Sequence, residues 1–184
     1  MDDIVKQALA KWPNVPNCYG WLGLDTRGNW FMRDDQTQAL GPFVSTNPIS
    51  KGSLLRHNKL IDFIERNYES DPQGQWFFQN GPQRVYVELA ATPFIWRVKD
   101  DFSVTDHLGR PARVQRCLLD ELGHLYLDTD SGFGLIHSMD MGDAASAIEE
   151  GLWAPQDVLS KDLPERFRYV MSPQALQKGR ALQT

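Results

Sequence analysis

The segment DPQGQWFFQNGPQRVYVELA, residues 71–90, decides how the chain is interpreted, because it joins two turn signals to two apolar runs. An Asn-Gly-Pro turn at Asn80 separates the runs, and Asn-Gly between such runs is a strong hairpin signal. The segment begins with Asp71-x-x-Gly74, in which the carboxylate can accept backbone N–H groups while glycine takes a positive φ. We therefore predict a β-hairpin preceded by a tight turn.

The Asp-x-x-Gly phrase recurs along the chain more often than the roughly one copy that chance placement predicts. Its four copies are Asp25/Gly28, Asp71/Gly74, Asp106/Gly109 and Asp120/Gly123. Large apolar residues follow three of them, as expected where a strand returns from a turn. The Asp-x-x-Gly of GTPases is excluded, since no G-x-x-x-x-G-K-[ST] loop is present. We interpret the phrase as a repeated turn, and the intervals of 46 and 49 residues between the three apolar-flanked copies as an internal repeat.

Length and composition limit the classes of protein to which the chain can belong. A chain of 184 residues, 41% of them hydrophobic, can form one domain or two small ones around a core. The net charge of −5 disfavours duplex nucleic acid as a partner, because that affinity comes from lysine and arginine. Cys18 and Cys117 are too few for a disulfide framework. Without a signal-peptide pattern or a membrane-spanning apolar window, the sequence predicts a reduced, cytoplasmic protein without membrane contact.

Hydrophobic periodicity and turn residues predict the order of elements. In chain order we expect a helix over 1–12, a hairpin over 18–33, a polar, mobile loop over 34–50, a helix N-capped by Ser53, about seven strands from Trp76, a helix N-capped by Asp143 that stops at Gly151, and a frayed end after 172.

These elements predict an α+β fold. It has an N-terminal helix, a small hairpin-plus-helix subdomain, and a mostly antiparallel pleckstrin-homology-like sheet or barrel closed by a helix. The corresponding domain bounds are 1–69 for the N-terminal elements, 70–151 for the β domain with its helix, and 152–184 for a polar C-terminal extension.

Two stretches resemble DUF1285, a bacterial family of unknown function. They are GNWFMRDD, residues 28–35, and DPQGQWFFQNGPQRVYVELAATPFIWRV, residues 71–98. In that family an Asp-x-x-Gly-aromatic turn precedes a helix, and a second such turn leads into a strand pair that closes on an acidic-Ala-Pro-Phe segment. Here Glu88 precedes a corresponding segment at residues 91–94. The opening residues 1–22 also resemble a narrower, uncharacterised proteobacterial family.

The resemblance implies a duplicated core with a pleckstrin-homology-like C-terminal half, a ligand site between the halves, and no assigned reaction. This chain departs from the family at three places. Thr92 stands where Asp is usual, residues 80–83 replace a Thr-Pro-Glu-Lys turn, and the segment 34–50 is longer. These departures bear on any ligand shared with the family.

Motifs for catalysis and metal binding are missing from the sequence. The histidines lack the spacing of zinc ligands; they are His57, His107, His124 and His137. The segment 128–132 resembles the start of a calcium loop, but Met139 stands where that loop needs glutamate. Cys18 is interpreted as an inert core thiol. We therefore predict no metal, no cofactor and no catalytic residue.

A set of aromatic, arginine and amide side chains remains as a candidate binding site. Arginine and tryptophan suit stacking on, or clamping, a planar anionic ligand such as a nucleotide. Arg84, Tyr86, Trp96 and Arg97 are predicted on adjoining strands, Trp21 and Trp30 on the N-terminal hairpin, and Asn80 at the turn. The alternative is that the tryptophans are core residues and the arginines are solvated.

Three functions of different class stay open at this level. The first is a non-enzymatic ligand-binding or regulatory module with its site between the two halves. The second is a hydrolase or transferase with dispersed catalytic residues, which a pocket holding paired carboxylates of shifted pKa would favour. The third is a homo-oligomeric structural or interaction protein that uses an exposed strand edge. The oligomeric state is not predicted.

Overall fold

The computed structural model describes residues 1–182 and shows a mixed α+β fold with an N-terminal helix, as the sequence predicts. The helices are α1 (Asp3–Lys11), α2 (Asp35–Ala39), α3 (Asn58–Arg66), α4 (Met141–Glu149), α5 (Leu163–Arg166) and α6 (Pro173–Ala181). The strands are β1 (Cys18–Leu24), β2 (Trp30–Met32), β3 (Ser53–Leu54), β4 (Tyr68–Ser70), β5 (Trp76–Asn80), β6 (Gln83–Leu89), β7 (Phe94–Val98), β8 (Val104–Asp106), β9 (Pro111–Ala112), β10 (Val114–Asp120), β11 (Leu125–Thr129), β12 (Gly132–Ile136) and β13 (Pro155–Val158). Short 3-10 helices lie at Pro48–Lys51, Ser138–Asp140 and Ser160–Asp162.

The strands form two sheets, one in each of two compact units. The first unit contains residues 1–25 and 29–90 and the described residues from 169 onward, and the second contains 26–28 and 91–168. The sheet of the first unit has the order β3-β2-β1-β6-β5-β4, and that of the second has β13-β10-β11-β12-β7-β8-β9.

The boundary between the units differs from the one placed at residue 70 from the sequence. The predicted hairpin β5–β6 is present, with Asn80 opposite Gln83. However, β6 pairs in parallel with β1, and Leu24 stands opposite Leu89. Because this ladder joins 83–89 to the N-terminal strands, the hairpin belongs to the first unit.

The helix predicted to begin at Ser53 begins instead at Asn58. Ser53 and Leu54 pair with β2, and His57 is the N-cap, its Nδ1 accepting from the Leu60 N–H at 3.2 Å. An imidazole acceptor can satisfy a free helical N–H as a serine hydroxyl does. Asp143 likewise lies inside α4, whose N-cap is Asp140.

The segment 34–50, expected as a loop, is held by a buried arginine. The Arg33 guanidinium donates to the backbone oxygens of Ser50 at 2.7 Å, of Gly20 at 3.2 Å and of Gly41. The segment contains α2, whose N-cap Asp34 accepts from the Thr37 N–H at 2.8 Å. Of the end expected to fray, Pro173–Ala181 form α6, and residues 183 and 184 lie outside the described residues.

All four Asp-x-x-Gly phrases form tight turns, which confirms their interpretation. The glycines have φ of 78° to 82°; they are Gly28, Gly74, Gly109 and Gly123. At Asp71 one carboxylate oxygen accepts the N–H groups of Gln73 and Gln75, both at 2.9 Å, and the Gly74 N–H donates to the Asp71 carbonyl at 3.0 Å.

The second unit contains the predicted pleckstrin-homology-like sheet with a helix after its sixth strand. Two of its strand pairs are parallel, β7 with β12 and β10 with β13. The helix α4 buries Ala144 and Ala147, and Gly151, with φ of 77°, follows its end as expected.

Among residues 1–182, no helix combines the length and the apolar character needed to cross a membrane.

Candidate functional site

The first unit contains a cleft of about 370 Å³ beside α3 and its sheet. Apolar side chains predominate, and all ten described lining residues are uncharged. The lining residues are Cys18, Trp21, Leu22, Met32, Leu60, Ile64, Phe78, Asn80, Gln83 and Val85. Leu60 and Ile64 belong to the apolar stripe of α3, so the helix that covers the sheet also supplies one wall.

A bulge in β1 shapes this cleft. Cys18 stands opposite Val85 and Leu22 opposite Val87, so three residues of β1 face one residue of β6. Gly20 lies inside the bulge with φ of 78°, a conformation that L side chains rarely adopt. Bulges re-aim side chains, which explains how the consecutive residues Trp21 and Leu22 can line the same cleft.

Two of the predicted site residues, Trp21 and Asn80, meet in this cleft. Trp21 keeps 41% of its surface exposed, so an aromatic face is available to a ligand. Asn80 is exposed at the hairpin turn beside Gln83, whose side-chain amide donates to the Pro16 carbonyl at 2.9 Å.

The other predicted site residues of the first unit serve packing. Trp30 is 2% exposed, and its ring lies edge-on to Tyr68 with the centroids 5.3 Å apart. The Tyr86 hydroxyl donates to Asp71 at 3.2 Å, and its ring stacks on Tyr19. Burial raises the pKa of Tyr86, and the guanidinium of Arg84 opposes that shift. Arg84 itself lies 4.5 Å above the Phe77 ring.

Trp96 and Arg97 lie in the second unit, on a different sheet from Arg84 and Tyr86, so the prediction of adjoining strands is wrong. The β6–β7 segment looks like a hairpin in sequence, but β7 pairs with β8 and β12. Trp96 is fully buried and donates to the Leu127 carbonyl at 3.0 Å. Arg97 forms a two-pronged ion pair with Asp140, at 2.6 and 3.0 Å. This pair and a bond from the Val98 N–H lower the Asp140 pKa against the effect of its burial.

Cys18 and Cys117 are both free thiols with different surroundings. Cys18 is half-buried in the cleft, and Cys117 is 2% exposed in the second unit. Burial raises the pKa of both thiols, that of Cys117 to about 11. Both are therefore protonated at neutral pH, as expected of weakly reactive thiols.

A smaller cavity in the second unit, about 270 Å³, has His124 and Ser138 among its lining residues. The His124 ring lies 3.0 Å from Asp120, which resembles the orienting contact of a catalytic base. The same contact recurs at the other Asp-x-x-Gly turns, where the fifth residue also reaches the aspartate: Asn29 at 3.3 Å, Gln75 at 2.9 Å and Arg110 at 2.8 Å. We therefore assign His124 to the turn rather than to catalysis.

A third cavity, about 510 Å³, lies along β13 and α5 of the second unit and is rich in carboxylates. Two of these carboxylates already have partners. Glu121 accepts from Ser160, and Asp120 accepts from the Leu122 and His124 N–H groups. Residues 1–182 hold no group of three histidine, cysteine or carboxylate side chains arranged to bind a metal ion.

Only some of the features that form the cleft could be predicted from the sequence. The stripe of α3 and the hairpin at Asn80 could be predicted, but the cleft also needs the bulge of β1. Its local sign is Gly20 inside an apolar strand pattern, but glycine there indicates a bulge without giving its size, and Gly23 in the same strand is paired in register with Glu88.

Comparison with known proteins gives a family without a function. A family labelled DUF2944, described as "Protein of unknown function (DUF2946)", matches residues 1–174. No curated protein matches the chain. A DUF1285 family protein from Silicibacter pomeroyi DSS-3 is similar at a TM-score of 0.47 and 13% identity, over 79% of this chain and 84% of that one. A DUF1285 family protein from Shewanella baltica OS155 is similar at 0.45 and 12% identity, over 68% and 91%.

Proposed function

Since the chain belongs to the DUF2944 family, whose function is unknown, we propose from its own geometry that it is a non-enzymatic ligand-binding module. The ligand is a small, uncharged, largely apolar molecule, and the site is the cleft of the first unit. The observation that carries the proposal is the half-exposed Trp21, turned by a bulge into a cleft with uncharged walls.

The size and lining of the cleft match this ligand class. Small-molecule sites are concave, about 300 to 1,000 Å³, and mostly apolar with a few polar groups that orient the ligand. The cleft has about 370 Å³, with the amides of Asn80 and Gln83 among its apolar walls. In this proposal the body of the ligand packs against the apolar walls, and a polar end of the ligand forms hydrogen bonds with the side-chain amides of Asn80 and Gln83.

The proposal replaces the anionic or nucleotide-like ligand expected from the sequence. Arg84 and Arg97 do not line the cleft, and each already has a partner, the Phe77 ring and Asp140 respectively. A phosphate in the cleft would therefore be desolvated without a cation to compensate it. The free thiols of Cys18 and Cys117 support a reducing compartment, and we place the module in the cytoplasm as part of the proposal.

Titration with N-phenyl-1-naphthylamine, an uncharged apolar dye whose fluorescence rises in apolar surroundings, tests the proposal. The wild-type protein should bind the dye saturably. Trp21→Ala should weaken binding about tenfold, because an aromatic wall of the cleft is lost. Trp12→Ala is the matched control, since Trp12 is 51% exposed and does not line the cleft.

Two outcomes would overturn the proposal. The first is a wild-type protein that does not bind the dye saturably. The second is equal weakening by Trp21→Ala and Trp12→Ala, which would indicate adsorption to exposed tryptophans rather than binding in the cleft. Circular dichroism of both variants confirms that the fold is retained.

A further inference from the structure

The bulge of β1 is in contact with α6, a part of the first unit that does not itself line the cleft. Gln174, in the first turn of α6, donates to the Gln38 side chain at 2.7 Å. This glutamine pair lies directly on Gly20. A Cβ at Gly20 would overlap Gln174 and would approach Gln38 to 2.6 Å. The positive φ favours glycine at the bulge, and a Cβ there would also displace the ends of the two glutamine side chains.

The N-terminus of α6 is hydrogen-bonded to the sheet through Glu88. This carboxylate, 2% exposed on β6, accepts from the Ser172 hydroxyl and from the Gln174 N–H at 2.9 Å. The residue opposite Glu88 on β1 is Gly23, three residues beyond Gly20. The start of α6 is thus hydrogen-bonded to β6 through Glu88 and lies against β1 at Gly20 through the glutamine pair.

Electrostatics supports the same attachment. Burial raises the pKa of Glu88, while Ser172, Gln174, Arg33 and Lys178 act in the opposite direction and favour the carboxylate. Arg33 also donates to the Gly20 carbonyl at 3.2 Å. Removing α6 would leave the buried carboxylate without its two hydrogen-bond donors, which is costly in a dry environment.

We propose that α6 is an intramolecular latch for the cleft, docked through Gln174 and Ser172 so that the bulge holds Trp21 and Cys18 in their binding positions. The latch regulates the site of the proposed function and rests on that function for its ligand. Coupling between sites is reciprocal, so occupancy of the cleft also stabilises the docked α6.

Hydrogen exchange of Gln174→Ala, with Gln177→Ala as the matched control, tests the latch without any ligand. Gln177 lies on the same helix but is exposed. Loss of one hydrogen bond should speed exchange of the β1 amides, residues 18–24, about fivefold in Gln174→Ala. Gln177→Ala should leave these amides within about twofold of wild type. Faster exchange confined to α6 in Gln174→Ala would overturn the latch, because it would show a helix that frays without affecting the bulge.

The dye N-phenyl-1-naphthylamine tests the coupling. Saturating dye should slow exchange of the α6 amides in the wild-type protein, and Gln174→Ala should bind the dye about fivefold more weakly than Gln177→Ala. A dye that binds at Trp21 but leaves α6 exchange unchanged would overturn the coupling while the proposed function stands. If the wild-type protein binds no dye, the proposed function fails, and exchange at 18–24 alone decides whether α6 holds the bulge.

Discussion

Four aspartates, at positions 25, 71, 106 and 120, repeat one local structure. Each accepts the N–H group of the residue four positions later, at 2.8 to 2.9 Å, on one carboxylate oxygen. The other oxygen binds the side chain of that same residue. The turn and its glycine were predictable, because φ > 0 selects glycine. The side-chain contact was not, because asparagine, glutamine, arginine and histidine share only an N–H donor.

Gly123→Ala should destabilise the protein by about 1 to 2 kcal/mol. The φ of Gly123 is 82°, and a Cβ there would meet nothing within 4 Å, so the cost is backbone strain alone. Gly142→Ala is the control, since Gly142 lies in α4, also in open space, where alanine is neutral or stabilising by up to about 1 kcal/mol. Urea unfolding of both variants measures the difference. Equal stabilities would show that the turn does not depend on its left-handed residue.

His107 should make the protein less stable in mild acid. Burial, and to a lesser extent the Arg110 guanidinium, lower the pKa of His107 from 6.5 to about 3. Its Nδ1 accepts from the Ile95 N–H at 3.2 Å. The unfolded chain binds this proton near pH 6.5 and the folded protein does not. The stability contribution is therefore complete above pH 6.5 and is lost as pH falls toward 3, by about 1.4 kcal/mol per pH unit.

Comparison of wild type with His107→Gln isolates this effect, because both proteins carry the same carboxylates. Wild type should be the more stable at pH 7, and its advantage should shrink as the pH is lowered from 6 to 5. A difference in unfolding free energy that stays constant over this range would contradict the prediction.

At the scale of elements, the segment 34–50 shows what composition does not reveal. Its proline, glycine and polar residues predict a loop, and locally that interpretation is sound. The segment is ordered by Arg33, a residue outside it, whose fully buried guanidinium binds three backbone carbonyls. Burial lowers the pKa of Arg33, and Glu88 acts in the opposite direction. Although Arg33 directly precedes the segment, the sequence pattern does not show that its guanidinium is buried or which carbonyls it binds. The start of α3 at Asn58 was missed for a related reason, because Ser53 is a strand partner of Met32.

Arg33→Lys should loosen this segment even though the charge is kept. An ammonium group cannot match the fixed fork of a guanidinium, so at least one buried carbonyl loses its partner. We expect a loss of about 2 to 4 kcal/mol in unfolding free energy and faster hydrogen exchange over 34–51. Arg56→Lys, at an exposed position, should change stability by less than about 0.5 kcal/mol. Unchanged exchange over 34–51 in Arg33→Lys would show that the segment is ordered by other contacts.

At the scale of the molecule, the fold class was predictable and the partition of the chain was not. Alternating apolar residues and turn glycines indicate how many strands there are, but a parallel pair such as β1–β6 joins residues 65 to 67 positions apart, as Leu24 with Leu89 and Cys18 with Val85. The polar composition after Pro155 suggested an extension. Instead, β13 joins the second sheet, and Met171 accepts the Leu89 N–H at 2.8 Å in the first unit.

Deletion of residues 169–184 should therefore destabilise the first unit selectively. The deletion removes the bonds from Val170 to Gly74 and from Leu89 to Met171, and both donors to Glu88. Hydrogen exchange should accelerate in β1 and β6, while β11 and β12 of the second unit stay close to their rates in the full chain. Equal acceleration in both units would show that the C-terminal residues stabilise the protein without regard to unit.

The first unit is built from chain segments on both sides of the second unit, and this determines which unit can finish folding first during translation. Residues 26–28 and 91–168 all leave the exit tunnel before residue 169, so the second unit has all of its chain first. The first unit holds residues 1–25, yet it lacks Met171 and Gln174 until those two residues have been translated. Glu88 is synthesised some eighty residues before its two hydrogen-bond donors. Domains generally fold from the N-terminus during synthesis. Here the unit whose translation begins first receives its last segment only after the second unit has been translated in full.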